Sequence, residues 1–245
     1  MSAPFRRPLP VLLLLLAASC APAAVRPPGP APAEAPAPGE LVVLVHGMGR
    51  TPLSMLPLER RLERAGYVVL NWGYSSTCCG VSELGARLRQ AVEAHPARAN
   101  GRVHFVSHSL GGILVRRVLA EDDLPFVTGR VVMLAPPNQG SRAADRQAPA
   151  LGWLLRPLPE LRTAGMRSAP SLAVPAEVEV GVIAGRYDAK VSVAESRLEG
   201  MDGHVVVPAT HAFLMLRADV QRRVLEFLRD GAFSARPDAM PPPEP

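Results

Sequence analysis

Short unbroken apolar runs alternate with amphipathic stretches through most of this chain. Leu41-Val42-Val43-Leu44-Val45 has no polar alternation, which suits a strand covered on both faces of a parallel sheet. Comparable strands are predicted at residues 67–71, 103–106, 130–134, 178–184 and 205–207. Between them the apolar spacing turns helical. Residues 52–65 read as a helix with Thr51 as N-cap, Pro52 at its first position and Gly66 as its stop. Further helices are predicted at about 82–94, from 110 to about 120, and over 212–229, where Phe213, Leu216, Val220, Val224 and Leu228 recur at helical intervals. Six strands joined by crossover helices imply an α/β fold, an all-parallel sheet with helices on both faces. Residues 141–175 break the rhythm with several prolines and little periodicity. A segment of that length reads either as a short lid, with Trp153 and Leu154 facing substrate, or as a connecting loop.

The chemistry gathers at the predicted strand ends. Ser107-His108-Ser109-Leu110-Gly111-Gly112 follows an apolar run and opens a helix. That is the layout of a nucleophile elbow, a serine exposed on a strained strand-to-helix turn. Ser107 stands where the usual motif has glycine, and Gly111 and Gly112 let helix and strand approach closely. A serine needs a base, and the base an orienting acid. Asp188 follows the strand at 178–184, and His211 follows the strand at 205–207. Ser109, Asp188 and His211 therefore arrive in the order Ser, Asp, His, each just past a strand. His204 and Asp202 open the last strand and fall at the opposite sheet edge, since each strand residue advances about 3.3 Å. Asp145 is the nearest other acid, and Pro136-Pro137-Asn138 after the fourth strand carries none. The oxyanion donors are read as the N–H groups of Leu110, next to the nucleophile, and Met48, in the His46-Gly47-Met48-Gly49 turn after the first strand. His108 is expected to pack on the sheet or line the pocket rim.

These blocks resemble bacterial lipase/esterase-like α/β-hydrolases. The likeness rests on VVLVHGMGRT (42–51), HFVSHSLGGILVR (104–116), VVMLAPPNQGS (131–141), YDAKVSV (187–193) and residues 198–215. It spans roughly residues 40–230, with its blocks in family order. The resemblance implies the α/β-hydrolase fold in a minimal form lacking two initial antiparallel strands. It also implies Ser109 as nucleophile, Asp188 as acid, His211 as base, and Met48 and Leu110 as oxyanion positions. Ser107 for glycine and Ala189 where the acid turn often has glycine are departures that remove no reacting group.

The N-terminus bears on location. Arg6-Arg7 followed by an apolar run at 11–18 has the layout of a secretory signal, too short for the ~20 residues of a membrane span. It ends in Leu16-Ala17-Ala18-Ser19-Cys20, which resembles a bacterial lipobox with lipid on Cys20. The division read from this is a signal at 1–19, a Pro/Ala-rich spacer at 20–39, a hydrolase domain at 40–231 containing the lid-like 141–176, and a Pro-rich tail at 232–245. The lipoprotein reading places the protein in the cell envelope, facing the periplasm from the outer membrane; cleavage at Ala21-Pro22-Ala23 gives a soluble secreted or periplasmic alternative.

Composition narrows the partners. The net charge of +5 falls to +3 without Arg6 and Arg7, too weak a balance to argue for nucleic acid. No metal constellation or phosphate-binding loop is found, and no cofactor is expected. Cys78-Cys79 lies in a loop near the active-site edge and reads most simply as two thiols, because neighbouring Cα atoms sit about 3.8 Å apart, closer than disulfides prefer. The sequence thus points to a serine hydrolase of carboxylic esters with an ester or lipid substrate. Acyl transfer by the same triad, or a non-catalytic lipid-binding lipoprotein, are the alternatives the sequence leaves open.

Overall fold

The computed structural model describes residues 39–164 and 169–234. Its sheet is built from β1 (Leu41–Val45), β2 (Val68–Trp72), β3 (Arg102–His108), β4 (Val127–Leu134), β5 (Val180–Gly185) and β6 (Gly203–Val207). The order is β2-β1-β3-β4-β5-β6, with every neighbouring pair parallel. The unbroken apolar run of β1 is explained by its place inside the sheet, where all five residues are buried. Edge strands β2 and β6 are only half-buried along most of their length.

Period-two alternation divides the core between two faces. Leu41, Val43 and Val45 point to a cluster shared with α2 (Val81–Ala94) and α3 (Leu110–Leu119). Val42 and Leu44 point the other way, to Leu58 and Leu62 of α1 (Leu56–Arg64) and to Val220, Val224 and Phe227. The last three belong to the C-terminal helix, Ala218–Asp230.

Several elements differ from the sequence reading. The helix expected at 52–65 is a 3-10 turn over Pro52–Met55 followed by α1. Pro57 at the start of α1 lacks the N–H that a continuous helix would use. Thr51 makes no side-chain cap bond. The C-terminal helix begins at Ala218 rather than 212, after a 3-10 turn over Leu214–Leu216. The irregular segment contains a true helix, α4 (Arg142–Leu151), making the C-terminal helix α5. Ser141 starts α4 by accepting hydrogen bonds from the N–H groups of Ala143 and Ala144, a capping signal readable in the sequence. Cys78 and Cys79 are joined to each other, not left as free thiols.

Among the described residues no helix is long and apolar enough to cross a membrane. The signal at 1–19, Cys20 and most of the spacer and tail lie outside the described residues.

Candidate active site

Ser109 sits between β3 and α3 with φ 54° and ψ −121°. Such a conformation is costly for a residue with a side chain and persists only where the surroundings enforce it. Here the Ser109 N–H donates to the Leu134 carbonyl at 2.9 Å, and its own carbonyl accepts from Gly112 at 2.9 Å. Two glycines make room for the turn. A Cβ on Gly111 would collide with the backbone carbonyl of Val45, and one on Gly47 would lie 2.8 Å from His108 Nδ1. Ser107 tolerates the usual glycine position but buries a hydroxyl with no hydrogen-bond partner.

The three residues named at separate strand ends are brought together. Ser109 Oγ lies 2.9 Å from His211 Nε2, and His211 Nδ1 lies 2.6 Å from Asp188 Oδ2. An ionised carboxylate only accepts, so Nδ1 carries the proton and Nε2 is left as the acceptor for the serine hydroxyl. Asp188 Oδ1 accepts from the N–H groups of Lys190 and Val191, both at 2.8 Å. With its side chain fully buried, that carboxylate has little freedom to turn away. His108 Nε2 lies 2.9 Å from the His211 carbonyl. The carbonyl can only accept, so His108 is the Nε2–H tautomer, and its Nδ1 is buried without a partner. Burial, and secondarily repulsion from His211 whenever that ring takes up a proton, depress the His108 pKa well below the ordinary histidine value.

The early loop is fixed from the segment after β2. Tyr74 donates its hydroxyl to the His46 carbonyl at 2.6 Å and stacks on the His46 ring at 4.3 Å. The Gly49 N–H donates to Ser76 Oγ at 2.9 Å. Burial pushes the Tyr74 phenol upward, keeping it a protonated donor. Among the described residues the Met48 N–H has no hydrogen-bond acceptor. The Leu110 N–H opens α3, where first-turn donors have no partner within the helix. Both N–H groups expected for the oxyanion are therefore uncommitted.

A cavity of about 80 Å³ opens onto Ser109 and His211. Met48, Ala144, Leu158 and Leu161 supply apolar wall, while Arg50 and Lys190 supply positive charge. The irregular segment does line the cavity, but through α4 and the turn at Leu158–Leu161. Trp153 and Leu154 do not face substrate: they are 73% and 55% exposed and lie outside the cavity wall. The Trp153 indole instead donates to the Ala150 carbonyl at the end of α4. Asp145 is spent on Thr163 and Arg162. Asp202 accepts the Val180 N–H, and His204 bonds Ser196. Among the described residues no group of three or more His, Cys, Asp or Glu side chains could hold a metal. Sequence reasoning missed Arg50, Lys190 and the His108 bond to His211; nothing in spacing marks a single cation as pocket-lining.

Comparisons with known proteins agree with this fold. Residues 42–242 match the profile of the alpha/beta hydrolase family. No curated protein matches the chain. Among solved structures, a Bacillus licheniformis lipase in its mature form aligns with TM-score 0.64 at 18% identity, covering 83% of this chain and 94% of that one. A Paleococcus ferrophilus monoacylglycerol lipase aligns with TM-score 0.59 at 18% identity, covering 78% and 95%. A metagenomic carboxyl esterase aligns with TM-score 0.58 at 20% identity, covering 77% and 69%. At those identities the likeness is one of fold, whereas the profile match spans most of the sequence. The chain belongs to the alpha/beta hydrolase family.

Proposed function

We propose that the protein hydrolyses carboxylic esters through an acyl-enzyme formed on Ser109. The observation that carries this reading is the unbroken chain from the buried Asp188 carboxylate through His211 to the Ser109 hydroxyl, with contacts of 2.6 and 2.9 Å. His211 Nε2 takes the hydroxyl proton as Oγ bonds to the ester carbonyl carbon. The Met48 and Leu110 N–H groups receive the resulting oxyanion, each such donor contributing about 10²–10³ in turnover. Collapse breaks the bond to the alcohol oxygen, which leaves with the proton from His211. Water then gives its proton to His211 while attacking the acyl carbon, and Oγ departs and recovers that proton. Asp188 orients the ring and offsets the positive charge on His211 in both halves.

The small cavity with apolar wall suits a short acyl chain, and the relatives named lipase and carboxyl esterase support an ester as substrate. We further propose that Cys20 carries lipid and tethers the domain to a membrane in the cell envelope, on the strength of the lipobox-like residues 16–20. Hydrolysis of p-nitrophenyl butyrate by the purified protein tests the reaction. Turnover that disappears in Ser109→Ala is expected; equal turnover in both proteins rules out Ser109 as nucleophile.

A further inference from the structure

The cavity above Ser109 carries more positive charge than hydrolysis of a neutral ester requires. Arg50 and Lys190 both line it, and no carboxylate does. They come from opposite sides of the nucleophile. Arg50 follows β1, on one flank of β3, whereas Lys190 follows β5, two strands away on the other flank. Among the described residues neither forms an ion pair. Asp188, two residues before Lys190, has both oxygens occupied by His211 and by backbone N–H groups.

Both residues are held by their main chains. The Lys190 N–H donates to Asp188, and its carbonyl accepts the Ser141 hydroxyl at 2.6 Å. The chain's one lysine is thereby pinned between the triad acid and the cap of α4. The Arg50 N–H donates to the Gly47 carbonyl at 3.2 Å, and its guanidinium reaches towards the carbonyl of Ala212, the residue after His211. Their positive fields extend into the site, where both help depress the His108 pKa.

We propose that Arg50 and Lys190 are specificity residues that receive an anionic group of the substrate, a carboxylate or a phosphate, close to the scissile ester. The inference rests on the ester-hydrolase reading and narrows its substrate class. Two unpaired cations beside His211 oppose the positive charge that develops there during attack. An anion seated between them cancels that opposition, so the same contacts favour the transition state as well as binding. A neutral ester gains neither effect. Carboxylate could come from a small acid ester, and phosphate from the headgroup of a short glycerolipid.

Two matched pairs test this: 3-carboxyphenyl butyrate against 3-carbamoylphenyl butyrate, and dibutyryl phosphatidic acid against dibutyrylglycerol. The readout is the ratio of kcat/KM within each pair. We expect the anionic member to lead by about tenfold or more, as charge pairs at binding sites commonly achieve, with the lead shrinking as salt is raised. The ratio should fall towards one in Arg50→Gln/Lys190→Gln and survive in the charge-conserving Arg50→Lys/Lys190→Arg. A lead in both pairs makes any anion sufficient, and a lead in the phosphate pair alone assigns a phosphate headgroup. Ratios near one in the native protein, or a lead that persists in the double glutamine variant, overturn the proposal. If the native protein cleaves none of the four, calorimetric titration of Ser109→Ala with the same pairs separates the two claims. Tighter binding of the anionic members, abolished by the glutamine pair, keeps the anion site and discards ester hydrolysis; equal binding discards the anion site too.

Discussion

The imidazole of His108, the residue just before Ser109, donates to the backbone carbonyl of His211 at 2.9 Å. One hydrogen bond thus ties the elbow to the loop after β6. It fixes where the His211 ring starts from, independently of Asp188.

This bond predicts a kinetic signature. His108→Phe keeps a ring in the buried space but donates nothing to the His211 carbonyl. Losing one such bond costs about 1–2 kcal/mol, hence roughly tenfold, and should fall mainly on kcat because the base is displaced rather than the pocket. Steady-state kinetics on a soluble butyrate ester checks it. A rise in KM at constant kcat would assign His108 to substrate binding instead.

The elbow makes opposite predictions for two neighbouring positions. Ser107→Ala removes a buried hydroxyl that lacks a partner, so a gain of about 1 kcal/mol is expected, near 2–4 °C in Tm for a domain of this size. Gly111→Ala puts a methyl into the Val45 carbonyl, where backbone must move, and should lose about 3 kcal/mol. Thermal unfolding of both variants decides. A stabilised Gly111→Ala would mean that strand and helix are not packed as described.

Acid should weaken the fold well above the range where carboxylates protonate. His104 accepts the Arg130 N–H on Nδ1 at 2.9 Å and so donates its Nε2–H to Glu40 at 3.1 Å. Burial holds its pKa below the ordinary value, against the opposing pull of Glu40, and burial does the same for His46 and His108. The unfolded chain therefore binds protons first. Stability is full above about pH 6.5, the ordinary histidine pKa, and is lost as pH falls below it, by up to about 1.4 kcal/mol per pH unit for each group. Urea midpoints at pH 7.5, 6.5 and 5.5 should decline, with a shallower decline in His104→Gln. A midpoint that is flat or rising across that range contradicts the assignment of buried neutral histidines.

Trp153 is the conspicuous aromatic of the segment that follows β4, yet it faces solvent. Trp153→Ala should leave kcat/KM for a soluble short-chain ester within about twofold, as surface substitutions usually do. A loss of tenfold or more would return Trp153 to the substrate wall.

Most of this architecture was legible in the sequence because parallel strands covered on both faces need unbroken apolar runs. Leu41–Val45 announced itself in that way. The meeting of Ser109, Asp188 and His211 was legible because each follows such a run, so strand order alone carries all three to one edge. What escaped depends on contacts without periodicity. Pro57 divides a helix whose apolar spacing is continuous across it. The α4 helix hides among prolines, although Ser141 caps it. The vicinal cysteines are bridged although ordinary disulfides prefer a wider spacing. Arg50 and Lys190 lie 140 positions apart along the chain, and only folding puts them in one cavity.

A serine nucleophile at position 109 must carry the acyl group during turnover. Rapid acid quench of the protein during p-nitrophenyl butyrate turnover, followed by peptide mass spectrometry, tests it most directly. A butyryl group on Ser109, absent from Ser109→Ala, is the predicted result. Turnover with no acyl group on Ser109, or with the group on another side chain, would rule out Ser109 as nucleophile.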